Sequence, residues 1–255
     1  MKHKKIALGV SVSLFAAILI ISAYIICTVR SVDFKYDVAT AATEEEVLAE
    51  REKLNGYVGK NVFTVKADKI AASLSDNPYI KVVSVKVDFP AKVTVTVEER
   101  GEKFAVKCEG GYYFLDENEF VLDKREGNAA RADGLPLPCI SGSNAVFALN
   151  SAAAFSDAVD GELFAAAAAI LKKFPDARNE LEEITVSRYN DGGAEWRRIF
   201  VYTKEGASFV ISEADHLSEE KAELVKKVFD ELSGTDRVMR TVEVFTAEND
   251  TVDYE

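Results

Sequence analysis

The run from Ile6 to Val29 carries no charged side chain, and it constrains everything that follows. As a helix rising about 1.5 Å per residue it reaches about 36 Å. The hydrocarbon core of a bilayer is about 30 Å thick, so the run predicts a membrane-spanning helix with a little tilt. Lys2, His3, Lys4 and Lys5 precede it and a lone Arg30 follows. That asymmetry predicts a cytoplasmic tail at 1–5, a span at 6–29 and the rest of the chain outside. A cleaved signal peptide fits less well, because its apolar core runs about 7–15 residues and ends in a small-x-small site. This run ends Tyr24-Ile25-Ile26-Cys27-Thr28-Val29 and offers no such site. Bulky Ile26 before Cys27 also argues against a lipidated cysteine.

Charge is uneven. Four of the 31 Lys and Arg residues, and none of the 43 acids, lie in the first thirty positions, which leaves the remainder a net charge of −16. So acidic a surface repels phosphate backbones, and no nucleic-acid partner is expected. It also argues against the outer part lying on anionic lipid. Apolar content of 48% and charged content of 29% describe a globular chain rather than a disordered one. Cys108 and Cys139 lie outside the span and make no disulfide framework; they read as two buried thiols, with pairing left open.

Past the span, Val32 to Val38 alternates as a short strand. Thr43 with Glu46 makes a capping box for a helix running to about Leu54, stopped by Asn55-Gly56. A second helix runs from about Ala67 to Ser75, with Ile70 and Leu74 one turn apart, and Asn77-Pro78 ends it. From Tyr79 to Phe89, Val83, Val85, Val87 and Phe89 fall on one face and Ser84, Lys86 and Asp88 on the other. After the Pro90-Ala91-Lys92 turn, Val93, Val95 and Val97 alternate with Thr94, Thr96 and Glu98. Period two over both arms predicts a hairpin that is apolar on one side. Two preceding helices supply the covering layer, giving a β-α-α-β-β unit over 31–100.

That order, with Gly59-Lys60-Asn61-Val62-Phe63, Asn77-Pro78-Tyr79-Ile80, Phe89-Pro90 and Val97-Glu98-Glu99-Arg100, resembles a POTRA domain. Placed directly after one span, it is similar to the bacterial division family called FtsQ in some species and DivIB in others. Downstream, Tyr113-Phe114-Leu115-Asp116 with Val121-Leu122 resembles the family's next strand–turn–strand. Leu135-Pro136-Leu137-Pro138-Cys139-Ile140-Ser141-Gly142 resembles its Leu-Pro-x-Ile-x-Gly run. Glu119 stands where the family often has Gly in an Asp-x-x-Gly turn.

Residues 101–246 predict a second, mainly antiparallel β domain with two helices, making the whole α+β. Strands are expected at 103–108, 111–115, 119–122, 181–188, 198–203, 208–211 and 237–246. The helices run from about Asp157 to Phe174 and from a Ser218 cap through Leu224, Val225, Val228 and Leu232. Residues 247–255 read as a loose acidic tail.

No catalytic constellation stands out, and no metal or cofactor is expected. His216 with Glu219 and Glu220 lacks the further ligands a metal site needs, and Ser218-Glu219-Glu220 is explained as a helix start. Glu98-Glu99 and Glu182-Glu183 are adjacent on strands, so each pair points to opposite faces. Nothing in sequence around Cys108 or Cys139 lowers a thiol pKa. A binding role follows, and the last strand is the candidate surface: Thr241, Val242, Glu243, Val244, Phe245 and Thr246. As a sheet edge its backbone would accept a partner's strand, even with Val242 and Val244 facing the core. The family resemblance implies the same region, and implies FtsL-like and FtsB/DivIC-like coiled-coil partners, a septal location and a link to the septal peptidoglycan synthesis machinery. Two other readings are a membrane-anchored cell-wall enzyme, which needs a nucleophile or carboxylate pair, and a transport component, for which no barrel of strands follows.

Overall fold

The computed structural model describes residues 2–37, 44–131, 133–214, 217, 219–232, 241–245 and 252–254. The chain forms two compact units, Met1–Arg100 and Gly101–Glu255.

In the first unit α1 (Lys2–Ile26) leads into β1 (Ser31–Asp37), α2 (Glu44–Leu54), α3 (Ala67–Ser75), β2 (Ile80–Asp88) and β3 (Lys92–Glu99). Side chains of α1 are described from Ser11 onward, and all of them up to Ile26 are exposed. Among the described residues no helix is long and apolar enough to cross a membrane. The apolar run does not stay helical to its end. Cys27 and Val29 turn into the core of the first unit, where Val29 is fully buried. Backbone pairing causes this: Val29 N–H donates to Lys60 O at 2.8 Å, Val62 N–H to Cys27 O at 2.7 Å, and Arg30 N–H to Ala91 O at 2.8 Å. The helix expected over 6–29 therefore ends at Ile26.

The three strands order β1-β3-β2, with β1 parallel and β2 antiparallel to β3. Val93, Val95 and Val97 of β3 are buried against Ile70 and Leu74 of α3 and Val47 and Leu54 of α2. Strand β2 departs from strict alternation. Val82 pairs with Val97 but Ser84 pairs with Thr96, so Val83 is the extra residue of a bulge. A bulge shifts the pleat by one. Val82, Val85 and Val87 pack on the core, whereas Val83 is 49% and Phe89 66% exposed. Placing Val83 and Phe89 on the core face is thus corrected. Thr43 lies outside the described residues.

The second unit is built on β4 (Phe104–Cys108), β5 (Gly111–Leu115), β6 (Val121–Arg125), β7 (Cys139–Ser141), α4 (Ala158–Lys172), α5 (Ala177–Glu180), β8 (Leu181–Asp191), β9 (Ala194–Thr203), β10 (Ser208–Ser212), α6 (Glu219–Glu231), β11 (Thr241–Phe245) and β12 (Val252–Tyr254). The described strands form one nine-stranded sheet in the order β12-β11-β10-β9-β8-β7-β4-β5-β6. It is more mixed than expected. The pairs β4–β7, β7–β8 and β10–β11 are parallel. Parallel neighbours need crossovers, and α4 and α6 provide those between β7 and β8 and between β10 and β11.

Helix α4 starts at Asp157, whose carboxylate accepts the Val159 N–H at 2.8 Å, and buries Leu163, Phe164, Ala167 and Ile170. Phe164 meets Phe155, Phe147 and Phe104 at ring separations of 5.2, 6.0 and 6.4 Å. Helix α6 buries Ala222, Val225, Val228 and Phe229 beside it. Leu224, expected in that stripe, is only partly buried; Phe229 takes the larger share, packing on Phe174 and Phe209.

The turn before β6 resolves the departure at Glu119. Asp116 Oδ1 accepts from Asn118 N–H at 2.8 Å and Phe120 N–H at 2.9 Å, which forces Glu119 to φ 63°. Left-handed backbone costs a residue with a Cβ about 1–2 kcal/mol, and glycine's extra unfolded-state freedom returns part of that. Glu119→Gly is expected to stabilise the second unit by about 0.5–1 kcal/mol, read as a higher Tm. Its exposed contact to Lys172 at 3.8 Å contributes little to set against this.

Candidate partner-binding edge

Strand β11 lies parallel to β10, with Thr241 opposite Ser208, Val242 opposite Phe209, Glu243 opposite Val210, Val244 opposite Ile211 and Phe245 opposite Ser212. Period two then divides its side chains. Val242 is fully buried and Val244 is 2% exposed, both in the core formed with α6. Thr241 and Glu243 are exposed, and Thr241 Oγ1 lies 3.1 Å from Ser208 Oγ. Of Phe245 the backbone position is described; Thr246 lies outside the described residues.

Strand β11 is not itself the end of the sheet. Within the stretch expected to be a loose tail, Val252–Tyr254 forms β12 and pairs antiparallel with it: Val244 opposite Val252, Glu243 opposite Asp253, Val242 opposite Tyr254. Among the described residues the sheet margin is therefore β12, which pairs with Val242 to Val244 of β11.

Beside this edge runs a feature that helix and turn signals do not reveal. Helices α4 and α6 cover one face of the sheet; on the other, Trp196, Arg198, Phe200 and Tyr202 alternate along β9. Trp196 and Tyr202 are each 40% exposed, as is Tyr189 at 43% across from Trp196. Tyr189 and Trp196 stack at 6.4 Å, Phe200 and Tyr202 also at 6.4 Å, and the Arg198 guanidinium sits 4.7 Å over the Trp196 ring. The register links the two features, since Tyr202 faces Ser208 and Ser208 faces Thr241. Alternation of aromatics in residues 196–202 is the sequence signal for this stripe.

His216 and Ser218 lie outside the described residues, and among the described residues no group of three metal-ligating side chains comes together. All three cysteines are free. Burial, reinforced by Glu183, pushes the Cys139 thiol up to about 11, so it is protonated at neutral pH and a poor nucleophile. Glu98 pairs with Lys81 at 3.0 Å on the surface. Arg188 ties the start of α4 to the β8–β9 hairpin, meeting Asp157 at 3.2 Å, Asp160 at 3.3 Å and Glu195. The Val159 N–H first, then Arg188, holds the Asp157 carboxyl below its ordinary range; Arg197 first, then Arg188, does so for Glu195. A cleft of about 390 Å³ between the 131–138 segment and the end of α4 is lined by Phe104, Leu135, Pro136, Leu171 and Phe174. Its buried acid, Glu102, is bound to Arg125 at 2.6 Å.

Residues 37–100 match the POTRA domain of the FtsQ type. The chain is 29% identical over 83 residues to the cell division protein DivIB of Clostridium acetobutylicum, a stretch covering 31% of this chain and 33% of that one. It is 25% identical over 79 residues to DivIB of Clostridium tetani, covering 29% and 30%. A longer match, 26% over 174 residues, joins it to the cell division protein FtsQ of Myxococcus fulvus and covers 68% of this chain and 56% of that one. The chain thus spans between about a third and just over half the length of these relatives. Residues 37–100 thus form a POTRA domain of the FtsQ type, and the chain is similar to cell division proteins named DivIB and FtsQ.

Proposed function

We propose that this chain is a non-enzymatic cell division protein, anchored by α1, that offers the β11–β12 margin to a partner's strand. The observation that carries the reading is that margin: β12 is the outermost of the described strands, so its outer side has no described strand beside it, and an exposed aromatic stripe runs along β9 of the same sheet. Strand addition takes affinity from main-chain hydrogen bonds and specificity from alternating side chains, and needs no catalytic group. FtsL-like and FtsB/DivIC-like division proteins are the proposed partners, with septal peptidoglycan synthesis the process so controlled. Anchoring is supported by α1, whose side chains from Ser11 to Ile26 are exposed and mostly apolar. In water such a surface is costly, at about 25 cal/mol per Å²; in a bilayer it is matched.

Affinity capture from dividing cells tests this. The full chain is expected to retain FtsL- and FtsB/DivIC-type proteins at the septum. Deleting residues 251–255, which removes β12 and leaves β11 in place, is expected to lower that capture at least about tenfold, equivalent to about 1.4 kcal/mol. Undiminished capture, with both units folded, would exclude the margin as the site. Normal division in depleted cells, with the protein spread evenly around the membrane, would exclude the division role.

A further inference from the structure

Two exposed phenylalanines stand at the place where α1 meets the first unit. Phe63 is 75% and Phe89 66% exposed, and their rings lie 6.0 Å apart. They are far apart in sequence and sit on different loops, the 62–64 turn and the β2–β3 turn. The same backbone bonds that draw Cys27 and Val29 into the core place both loops there. Val62, next to Phe63, donates to the Cys27 carbonyl at 2.7 Å; Ala91, two residues past Phe89, accepts from Arg30 N–H at 2.8 Å. Val58, 46% exposed, belongs to the same end, because Gly59 N–H donates to Val29 O at 2.9 Å.

We propose that Phe63 and Phe89 insert into the outer interface of the bilayer that holds α1, docking the POTRA unit against the membrane. The inference rests on the reading of α1 as a span. Helix from Ile6 to Ile26 covers about 31 Å, so the hydrocarbon ends at the first residues of the folded unit. Cys27 to Arg30 are bonded to the 59–62 and 91 segments, so no slack linker lifts those loops away. Apolar rings beside a helix exit meet the level where aromatic side chains favour the headgroup boundary. Arg30 and Lys60, both exposed, flank the pair, with Asp88 next to Phe89, and Lys60 lies 4.4 Å over the Tyr57 ring. The net −16 of the outer chain does not oppose this contact, because charges further than about 8–10 Å are screened. A protein partner is the competing occupant, and the test separates the two.

Full-length protein with Trp196→Phe, which removes the single tryptophan, is reconstituted in phosphatidylcholine vesicles whose acyl chains are brominated both near the headgroup and near the chain centre. Three variants carry Phe15→Trp, Phe63→Trp or Phe89→Trp. Quenching in Phe63→Trp and Phe89→Trp is expected to come within about twofold of that in Phe15→Trp, because all three rings then contact lipid. Quenching in Phe15→Trp without any in the other two would overturn the docking while leaving the span intact, and would turn the pair toward a protein partner. Absence of quenching in Phe15→Trp would overturn the span reading, and the docking with it.

Discussion

Gly142→Ala is expected to destabilise the second unit by at least about 3 kcal/mol, lowering its Tm by roughly 6–12 °C. Gly142 ends β7 at φ 73°, and a Cβ there would lie 2.0 Å from the Val186 carbonyl oxygen of β8. Left-handed backbone alone accounts for about 1–2 kcal/mol. The remainder is overlap with main chain, which cannot rotate away as a side chain would. Relief requires moving β7 from β8, and β7 is the strand through which β4 and β8 are joined. Gly193→Ala is the control: φ is 98° but nothing lies within 4 Å of the added Cβ, so only the conformational cost remains. Thermal melts followed by Trp196 fluorescence compare the two. Equal losses would show that overlap at Val186 is absorbed without cost.

Truncation before Thr241 is expected to unfold the second unit, whereas deletion of 251–255 leaves it folded. Val242 and Val244 are buried among Phe209, Ile211 and α6, and each buried valine contributes about 1.5–3 kcal/mol. Removing both, together with the β10–β11 ladder, takes about 3–6 kcal/mol from a domain whose whole stability is on the order of 5–15 kcal/mol. The far-ultraviolet signal of the first unit, which has its own core, is expected to persist while cooperative unfolding of the second is lost. A second unit that still melts cooperatively after this truncation would show that β11 is dispensable to the core. For partner capture the consequence is practical. Loss of binding after cutting away β11 reports loss of a fold; loss after cutting away β12 reports loss of an edge.

Local pattern reached some elements accurately. Helix α3 was legible from Ile70 and Leu74 and from the Asn77-Pro78 stop, and β3 from the alternation of Val93, Val95 and Val97. Helix α4 was legible from about Asp157, one residue before its observed start at Ala158. Strand β2 was half legible: period two identified a strand but assigned Val83 to the wrong face, because a bulge shows only against a partner. The aromatic stripe of β9 was present in the letters, yet nothing local says which face of a sheet the helices leave open. For the candidate edge, residues 241–245 were recognisable as a strand, but its neighbours were not.

By itself, the sequence determined an uncharged N-terminal run, a POTRA-like β-α-α-β-β order, an acidic remainder beyond residue 30 and the family resemblance. The run, the element order and the acidity depend on composition and on periods of two and 3.6, which neighbouring residues express directly; the resemblance rests on short motifs in order, such as Phe89-Pro90 and Val97-Glu98-Glu99-Arg100. Only the tertiary structure decided that Cys27 and Val29 belong to the core, that β7 lies parallel to β4 and β8 and β11 parallel to β10, that β12 is the outermost described strand and that Phe63 meets Phe89. Each of these is a contact between segments distant along the chain. Such contacts are selected by the packing of the whole unit, and no local pattern encodes them.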